Sequence, residues 1–314
     1  MFAELLGRSC FSFLRGASQP EEMVTRAKEL DLSALALCDR MGLYGSARAH
    51  AQARALEPSE ASEQSEPSEA SVRGRRDGAP DRDRGGGGTE PPNLRLIVGA
   101  ELVLEPGLLG KSKSENPERL AALAQAPVVA LLVENHAGYS NLCRLLTLAH
   151  ADHPKGEGAL RLEWLAEHSA GLVAVAPLSR DPSGPDAPPE ALCGVLAELF
   201  AERAVLATYR HLDGFDRARQ EAAEALSARF GLEVVASARP LFHNRSRKPL
   251  ADVVCCIREG VTLDRAGTAL SANAEAFLRS ELEMQKLFRD RPAWVERTGE
   301  IASALRFSLG ELRY

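Results

Sequence analysis

No run of about 18 apolar residues occurs in this 314-residue chain, so no membrane-spanning helix is expected. The N-terminus has no basic stretch leading into an apolar segment, so no secretory signal is read there. Neither a P-loop nor a dinucleotide-binding glycine fingerprint appears. Aromatic residues make up only 5% of the chain. Its two tryptophans, Trp164 and Trp294, lie in helical stretches and read as packing residues rather than base-stacking platforms. The six cysteines (10, 38, 143, 193, 255 and 256) form no C-x-x-C pair and mostly sit in apolar surroundings. They read as buried reduced thiols of a cytoplasmic protein, and no zinc site is expected. An excess of positive charge is lacking too, with 38 Lys+Arg against 44 Asp+Glu and a net charge of -6. That argues against the whole chain acting as an electrostatic nucleic-acid binder. One small basic loop, "HNRSRKP" at 243–249, reads as solvated surface or as a phosphate-backbone contact.

What is present is an ordinary globular composition, 45% hydrophobic and 26% charged, in a chain long enough for one large domain plus an appendage. Seven short apolar runs read as buried strands: "FAEL", "SALALC", "LRLIVGAELVL", "VVALLV", "GLVAVAP", "AVLATY" and "LEVVAS". Amphipathic helical stretches separate most of them. In "SQPEEMVTRAKELDL", Ser18 is the expected N-cap, with Glu21 completing a capping box and Pro20 in the first turn. "GFDRARQEAAEALSARFG" is a second helix, closed by Gly231. This alternation argues for an α/β fold, a parallel sheet or barrel, and seven strands suit a barrel better. Residues 51–93 break the pattern: "EPSEAS" occurs twice, then "RGRRDGAPDRDRGGGG" follows. With almost no large apolar side chains, this stretch reads as a disordered insertion. From about residue 246, "PLADVVCCIREG", "NAEAFLRSELEMQKLFRD" and "PAWVERTGEIASALRF" read as helices with no strand between them. The expected domains are therefore a barrel over 1–245 and a helical segment over 246–314. The end at "FSLGELRY" reads as an internal point of something longer.

In a parallel barrel, functional residues lie at strand C-termini. Those positions hold Leu6-Gly7-Arg8, Asp39-Arg40-Met41, Glu101, and Arg239 to His243. The segments "AELLGRSCFSFLRGAS" and "ALALCDRMGLYGSARAH" resemble the start of bacterial error-prone DNA polymerases of the polymerase III alpha type. These begin with a PHP (polymerase and histidinol phosphatase) domain. "LIVGAEL", "AGYSNLCRLLTLA", "YRHL", "CIREGVTLD" and "FSLGELRY" continue the resemblance in order. It implies a PHP-type distorted (β/α)7 barrel followed by an all-helical connector toward a polymerase core.

The resemblance also marks departures. The family's first two ligand histidines are here Leu6 and Arg8. Its Asp is kept as Asp39, but the His and Asp that follow are Arg40 and Met41. Its bridging Glu is kept as Glu101. Its late Asp-x-His-x-His reads Arg239-Pro240-Leu241-Phe242-His243, keeping only His243, and a frequent His is Val128. His211 matches a family histidine with no assigned role.

Asp39, Glu101 and His243 are too few donors for a divalent ion, and three arginines at former ligand positions repel a cation. No metal and no catalytic residue is therefore expected. Arg8, Arg40 or Arg239 is expected to pair with Asp39 or Glu101, the other reading being that all three face solvent. His150 and His153 read as loop residues without a third ligand, and Ser9 and Ser12 as lacking an adjacent base.

The expected function is the structural PHP portion of an error-prone polymerase serving DNA replication, repair and translesion synthesis. Magnesium belongs to the family's polymerase core, and no palm motif occurs in these residues. The implied partners are the rest of the polymerase, DNA through the full-length enzyme, the sliding clamp and mutagenesis accessory proteins. Two alternatives stand: a free-standing PHP-like metal-dependent phosphoesterase, and a pseudoenzyme binding a polymerase in trans.

Overall fold

The computed structural model describes residues 1–57, 94–105, 126–151, 153–154, 156, 158–181 and 190–313. Seven strands form one sheet in sequence order: β1 (Ala3–Gly7), β2 (Ala34–Arg40), β3 (Arg95–Val103), β4 (Val128–Val133), β5 (Leu172–Pro177), β6 (Ala204–Thr208) and β7 (Glu233–Ala236). The helices described are α1 (Pro20–Glu29), α2 (Ser46–Ala55), α3 (His136–Ala151), α4 (Leu162–Glu167), α5 (Glu190–Phe200), α6 (Asp216–Phe230), α7 (Lys248–Glu259), α8 (Glu281–Leu287) and α9 (Pro292–Ala304). Among the described residues no helix is long and apolar enough to cross a membrane.

The strands are mostly apolar because both faces of the sheet are covered, with charged residues such as Asp39, Arg40 and Glu101 toward their C-terminal ends. In β2 the alternation sorts side chains by size. Ala34, Ala36 and Cys38 point to the inside of the curl, with Ala3, Leu5, Ala130, Leu132, Val175 and Val235. Leu35 and Leu37 point outward, against Met23, Val24 and Ala27 of α1. Small residues inside let the strands curl closely, and larger ones outside anchor the helices. The outer faces of β3 to β6 pack against Leu142 and Leu145 of α3 and Leu192 and Leu196 of α5.

The all-parallel expectation is corrected in one strand. β4 runs antiparallel to both β3 and β5, while the other four ladders are parallel. An apolar run such as "VVALLV" is covered equally well in either direction, so its composition carries no polarity. The sheet is a curled half-barrel, with β1 and β7 as its terminal strands. A buried side chain bridges them instead of a ladder. Glu4 accepts hydrogen bonds from the Ser237 hydroxyl (2.6 Å), the Ala238 N–H (2.8 Å) and the Leu6 N–H (2.8 Å). α9 covers this seam: Ile301, Ala302 and Leu305 join the inner core, and Thr298 accepts the Ala3 N–H at 3.0 Å. The C-terminal segment thus shares a core with the strands.

Several local expectations shift. The N-cap of α1 is Gln19, whose partner is Glu22, because the Ser18 hydroxyl is engaged with His243. Gly231 ends α6 at φ 70°, as its position after the helix suggested. Residues 51–55, placed in the disordered insertion from sequence, form the end of α2. Their alanine-rich run favours helix, and Ala53 packs beside α1's core. The remainder of that insertion, 58–93, lies outside the described residues. Of "NAEAFLRSELEMQKLFRD", only Glu281–Leu287 is α-helix, because Phe277 pairs with Phe242 as a β-bridge and holds the preceding chain extended.

Gly138, in the first turn of α3, illustrates close backbone packing. A Cβ there would stand 1.8 Å from the Gly171 carbonyl oxygen. Gly138→Ala is therefore expected to destabilise by about 1–3 kcal/mol, although alanine is the better helix former. A denaturation midpoint at or above that of the parent chain would contradict this packing.

Candidate functional site

Six of the seven strands share one direction, and their C-terminal ends form the mouth of the half-barrel. Arg8 follows β1, Arg40 is the last residue of β2, Glu101 lies near the end of β3, and Arg239 follows β7. Glu101 is the centre of this group, its side chain 4% exposed. Its Oε1 is 3.4 Å from Arg40 Nη1 and 3.8 Å from Arg8 Nη1, and its Oε2 is 3.9 Å from Arg239 Nη2. Only the Arg40 contact is a hydrogen bond. All three arginines therefore turn into the mouth and reach Glu101.

The electrostatics follow from this geometry. Burial alone would push the Glu101 carboxyl up, but the guanidiniums of Arg8, Arg239, Arg40 and Arg15 outweigh it and hold it down at about 2. The same burial pulls Arg8 and Arg40 down, while Glu101 opposes the shift for each.

Asp39 is held separately. Its Oδ1 accepts the Ser9 N–H and the Ser12 hydroxyl, both at 2.8 Å, and its Oδ2 accepts the Ser9 hydroxyl at 2.7 Å. Ser12 Oγ in turn accepts the Arg40 N–H at 3.1 Å. These serines thus orient a carboxylate and the strand end rather than supply a nucleophile.

His243 takes a different role from the cluster. Its Nδ1 is 2.8 Å from Ser18 Oγ and 4.0 Å from Glu22, at the start of α1. Leu6 is buried in the inner core, Leu241 packs beside Phe242 and Phe277, and Val128 begins β4 opposite Val103. Met41 has φ 56° and Arg239 has φ 42°, both in the left-handed region that side chains other than glycine rarely adopt. Met41 is kept there by its N–H to the Glu101 carbonyl and by its own carbonyl, which accepts from His150 Nε2, each at 2.8 Å. His150, on α3, therefore braces the loop after β2. Burial, reinforced by Arg219 and Arg239, pulls His211 down to about 4, although its hydrogen bond to the Ala238 carbonyl opposes this.

Sequence reasoning missed Glu4 and Arg15 as parts of this mouth. Glu4 matches the family pattern without being a ligand, and Arg15 follows an ordinary "FL" pair. No spacing signal marks either as facing the site. The "HNRSRKP" loop is mostly ion-paired: Arg245 with Glu275, Arg247 with Glu22, and Lys248 with Asp252. All six cysteines are free thiols. Among the described residues, no three His, Cys, Asp or Glu side chains converge as a metal-holding group. Each carboxylate of the mouth faces guanidiniums or hydroxyls instead.

Residues 6–237 match the PHP domain. An error-prone DNA polymerase of Anaeromyxobacter dehalogenans (strain 2CP-1) is 37% identical over 99% of this chain and 23% of its own length. One from Ruegeria pomeroyi is 36% identical over 100% of this chain and 26% of its own. One from Bdellovibrio bacteriovorus is 32% identical, covering 100% of this chain and 25% of its own. The chain thus spans about a quarter of the length of these curated relatives.

Proposed function

We propose, from the premise that this chain belongs to the PHP domain family, that it is the PHP portion of an error-prone DNA polymerase. Its barrel mouth uses guanidiniums where a metal-binding member would place cations, and its role in the polymerase is structural. The observation that carries this reading is Glu101 set among Arg8, Arg40 and Arg239. A divalent ion needs several oxygen or nitrogen donors directed at one point. Here one carboxylate, Glu101, faces three fixed positive charges, and the other, Asp39, has accepted three hydrogen bonds. The donor set does not fit a catalytic metal pair, and no hydrolytic step is assigned to it.

Two further features support a structural part in a larger polymerase. The similarity to those polymerases runs through the helical tail as well as the strands. The tail itself is packed into the inner core through α9. In this reading the domain's partners are the remainder of the polymerase and, through it, DNA during replication, repair and translesion synthesis in the cytoplasm. Magnesium would serve the polymerase core rather than this mouth.

The purified chain, assayed with manganese or zinc on a phosphomonoester and on DNA ends, is expected to show no metal-stimulated hydrolysis. Robust stimulation, lost in Glu101→Gln at a temperature where both proteins are folded, would overturn the proposal in favour of a metal-dependent phosphoesterase.

A further inference from the structure

We infer that the arginine-lined cavity at the barrel mouth is a binding site for a phosphate dianion. The inference deepens the metal-free reading above and rests on it. The cavity measures about 240 Å³ and lies between the strand ends and residues 271–276 of the C-terminal segment. Against the roughly 30 Å³ that a water molecule occupies, it has room for a phosphate group with several waters. Arg8, Arg15, Arg180, Arg239 and Arg258 line it, with Asp213 as the one acidic wall residue among the described residues.

Asp213 brings one negative charge against five wall guanidiniums, and its oxygens already accept hydrogen bonds from Arg219 at 2.8 and 3.1 Å. Glu101 offers a single negative charge to three guanidiniums. The surplus is visible in unmet hydrogen-bonding capacity. Arg8 is 8% exposed and its guanidinium donates no hydrogen bond among the described residues. Its approach to Glu101, at 3.8 Å, is an ion pair without a hydrogen bond. The Nε atoms of Arg8 and Arg239 are buried without a partner. Arg15 has no carboxylate within ion-pair distance among the described residues. Burial, with Arg40 and Arg258 adding, pulls it down to about 9, so it stays a cation at neutral pH.

A buried guanidinium with idle donors is costly unless an anion meets it. Arg8 and Arg15 come from the loop between β1 and α1, Arg180 from after β5, Arg239 from after β7 and Arg258 from α7. They thus reach the cavity from four separate parts of the fold. A tetrahedral oxyanion with several acceptor oxygens answers that arrangement, whereas a carboxylate presents two oxygens in one plane. Arg258 is partly committed, donating to Glu259 (2.8 Å) and the Leu14 carbonyl (3.0 Å), and Arg180 lies 3.9 Å from Asp213. Arg239 donates from Nη1 to the Leu178 carbonyl at 2.5 Å and keeps its Nε unmet, so the least committed donors are Arg8 and Arg15, with Arg239 beside them. The dianion is either free phosphate or the terminal phosphate of a nucleic-acid strand.

The test is isothermal titration of the chain at fixed ionic strength, in the presence of a chelator. The three titrants are inorganic phosphate, a 5′-phosphorylated oligonucleotide and its 5′-hydroxyl counterpart. Saturable binding of phosphate or of the phosphorylated strand is expected, weakened about tenfold or more in Arg15→Gln and by a smaller factor in Arg180→Gln. Arg217→Gln, far out in solvent, is expected to bind as the parent does. Preference for the phosphorylated strand over both other titrants identifies a strand end as the source, and equal or tighter binding of inorganic phosphate identifies the free anion. No saturable binding of either phosphate form, or affinity unchanged in both pocket variants, would overturn the inference. The structural reading fails separately, by metal-stimulated hydrolysis, whatever the titration in chelator gives.

Discussion

Replacing Glu101 by glutamine is expected to destabilise the fold by about 3–5 kcal/mol, the usual cost of leaving buried charge uncompensated. In thermal terms that is a fall on the order of ten degrees in Tm. The reason is the company the carboxylate keeps. Arg8, Arg40 and Arg239 approach it from three strand ends, and their side chains are 10%, 15% and 14% exposed. Glutamine fills nearly the same space but carries no charge, so three guanidiniums would repel one another with nothing between them. A pH signature separates this from simple loss of packing. The native Glu101 carboxyl titrates at about 2, below its ordinary 4.5. Its contribution to stability is therefore complete above about pH 4.5 and lost as pH falls through about 2. The parent chain is expected to lose this stability over that interval, and Glu101→Gln to lack that part of the loss. Denaturant unfolding at neutral pH and near pH 3 measures both effects. A variant within about 1 kcal/mol of the parent at neutral pH would show that the cluster does not depend on its central charge.

Arg219→Met should have an effect of similar size, about 3–5 kcal/mol, at a different point of the mouth. Arg219 is fully buried within α6. Its guanidinium donates to the carbonyls of Tyr209 (3.1 Å) and Arg180 (2.8 Å), twice to Asp213, and to Asp216. It also lies 4.3 Å from the Tyr209 ring centroid. Asp216 uses its remaining capacity to accept the N–H groups of His211 and Leu212, each at 3.0 Å. One cation thus ties the loop after β6 to the first turn of α6. Methionine would keep the volume and leave two aspartates facing each other without a counter-charge. Lysine is expected to restore only part of the loss, because an ammonium cannot span both Asp213 oxygens and two carbonyls at once. Equal unfolding midpoints for the parent and Arg219→Met would contradict the structural role given to this network.

Much of the fold was legible because its strands are buried on both faces. Runs such as "ALALC" and "VVALLV" stand out from the helices between them, and their order in the chain is their order in the sheet. The reversed direction of β4 was not legible, since an apolar run packs equally well in either sense. Caps were legible where the backbone demanded a particular residue, as at Gly231. They were misplaced by one position at α1, where a tertiary contact from His243 claimed Ser18. In the candidate site, the positions of Arg8, Arg40, Glu101 and Arg239 could be read by comparison with the family pattern. Arg15 could not, because nothing local distinguishes an arginine that faces a cavity from one that faces water.

The sequence by itself determined the class of the protein and which residue types stand at the strand ends, because both are written in local order and spacing. Only the tertiary structure decided what those residues do together. Glu4 is one charged residue inside an apolar run in the sequence and a bridge between β1 and β7 in the fold. Arg8, Arg40 and Arg239 come from distant parts of the chain and share one carboxylate in space. Whether an arginine is a solvated surface charge or a buried counter-ion depends on the dielectric and the neighbours around it, and only the packed sheet supplies those.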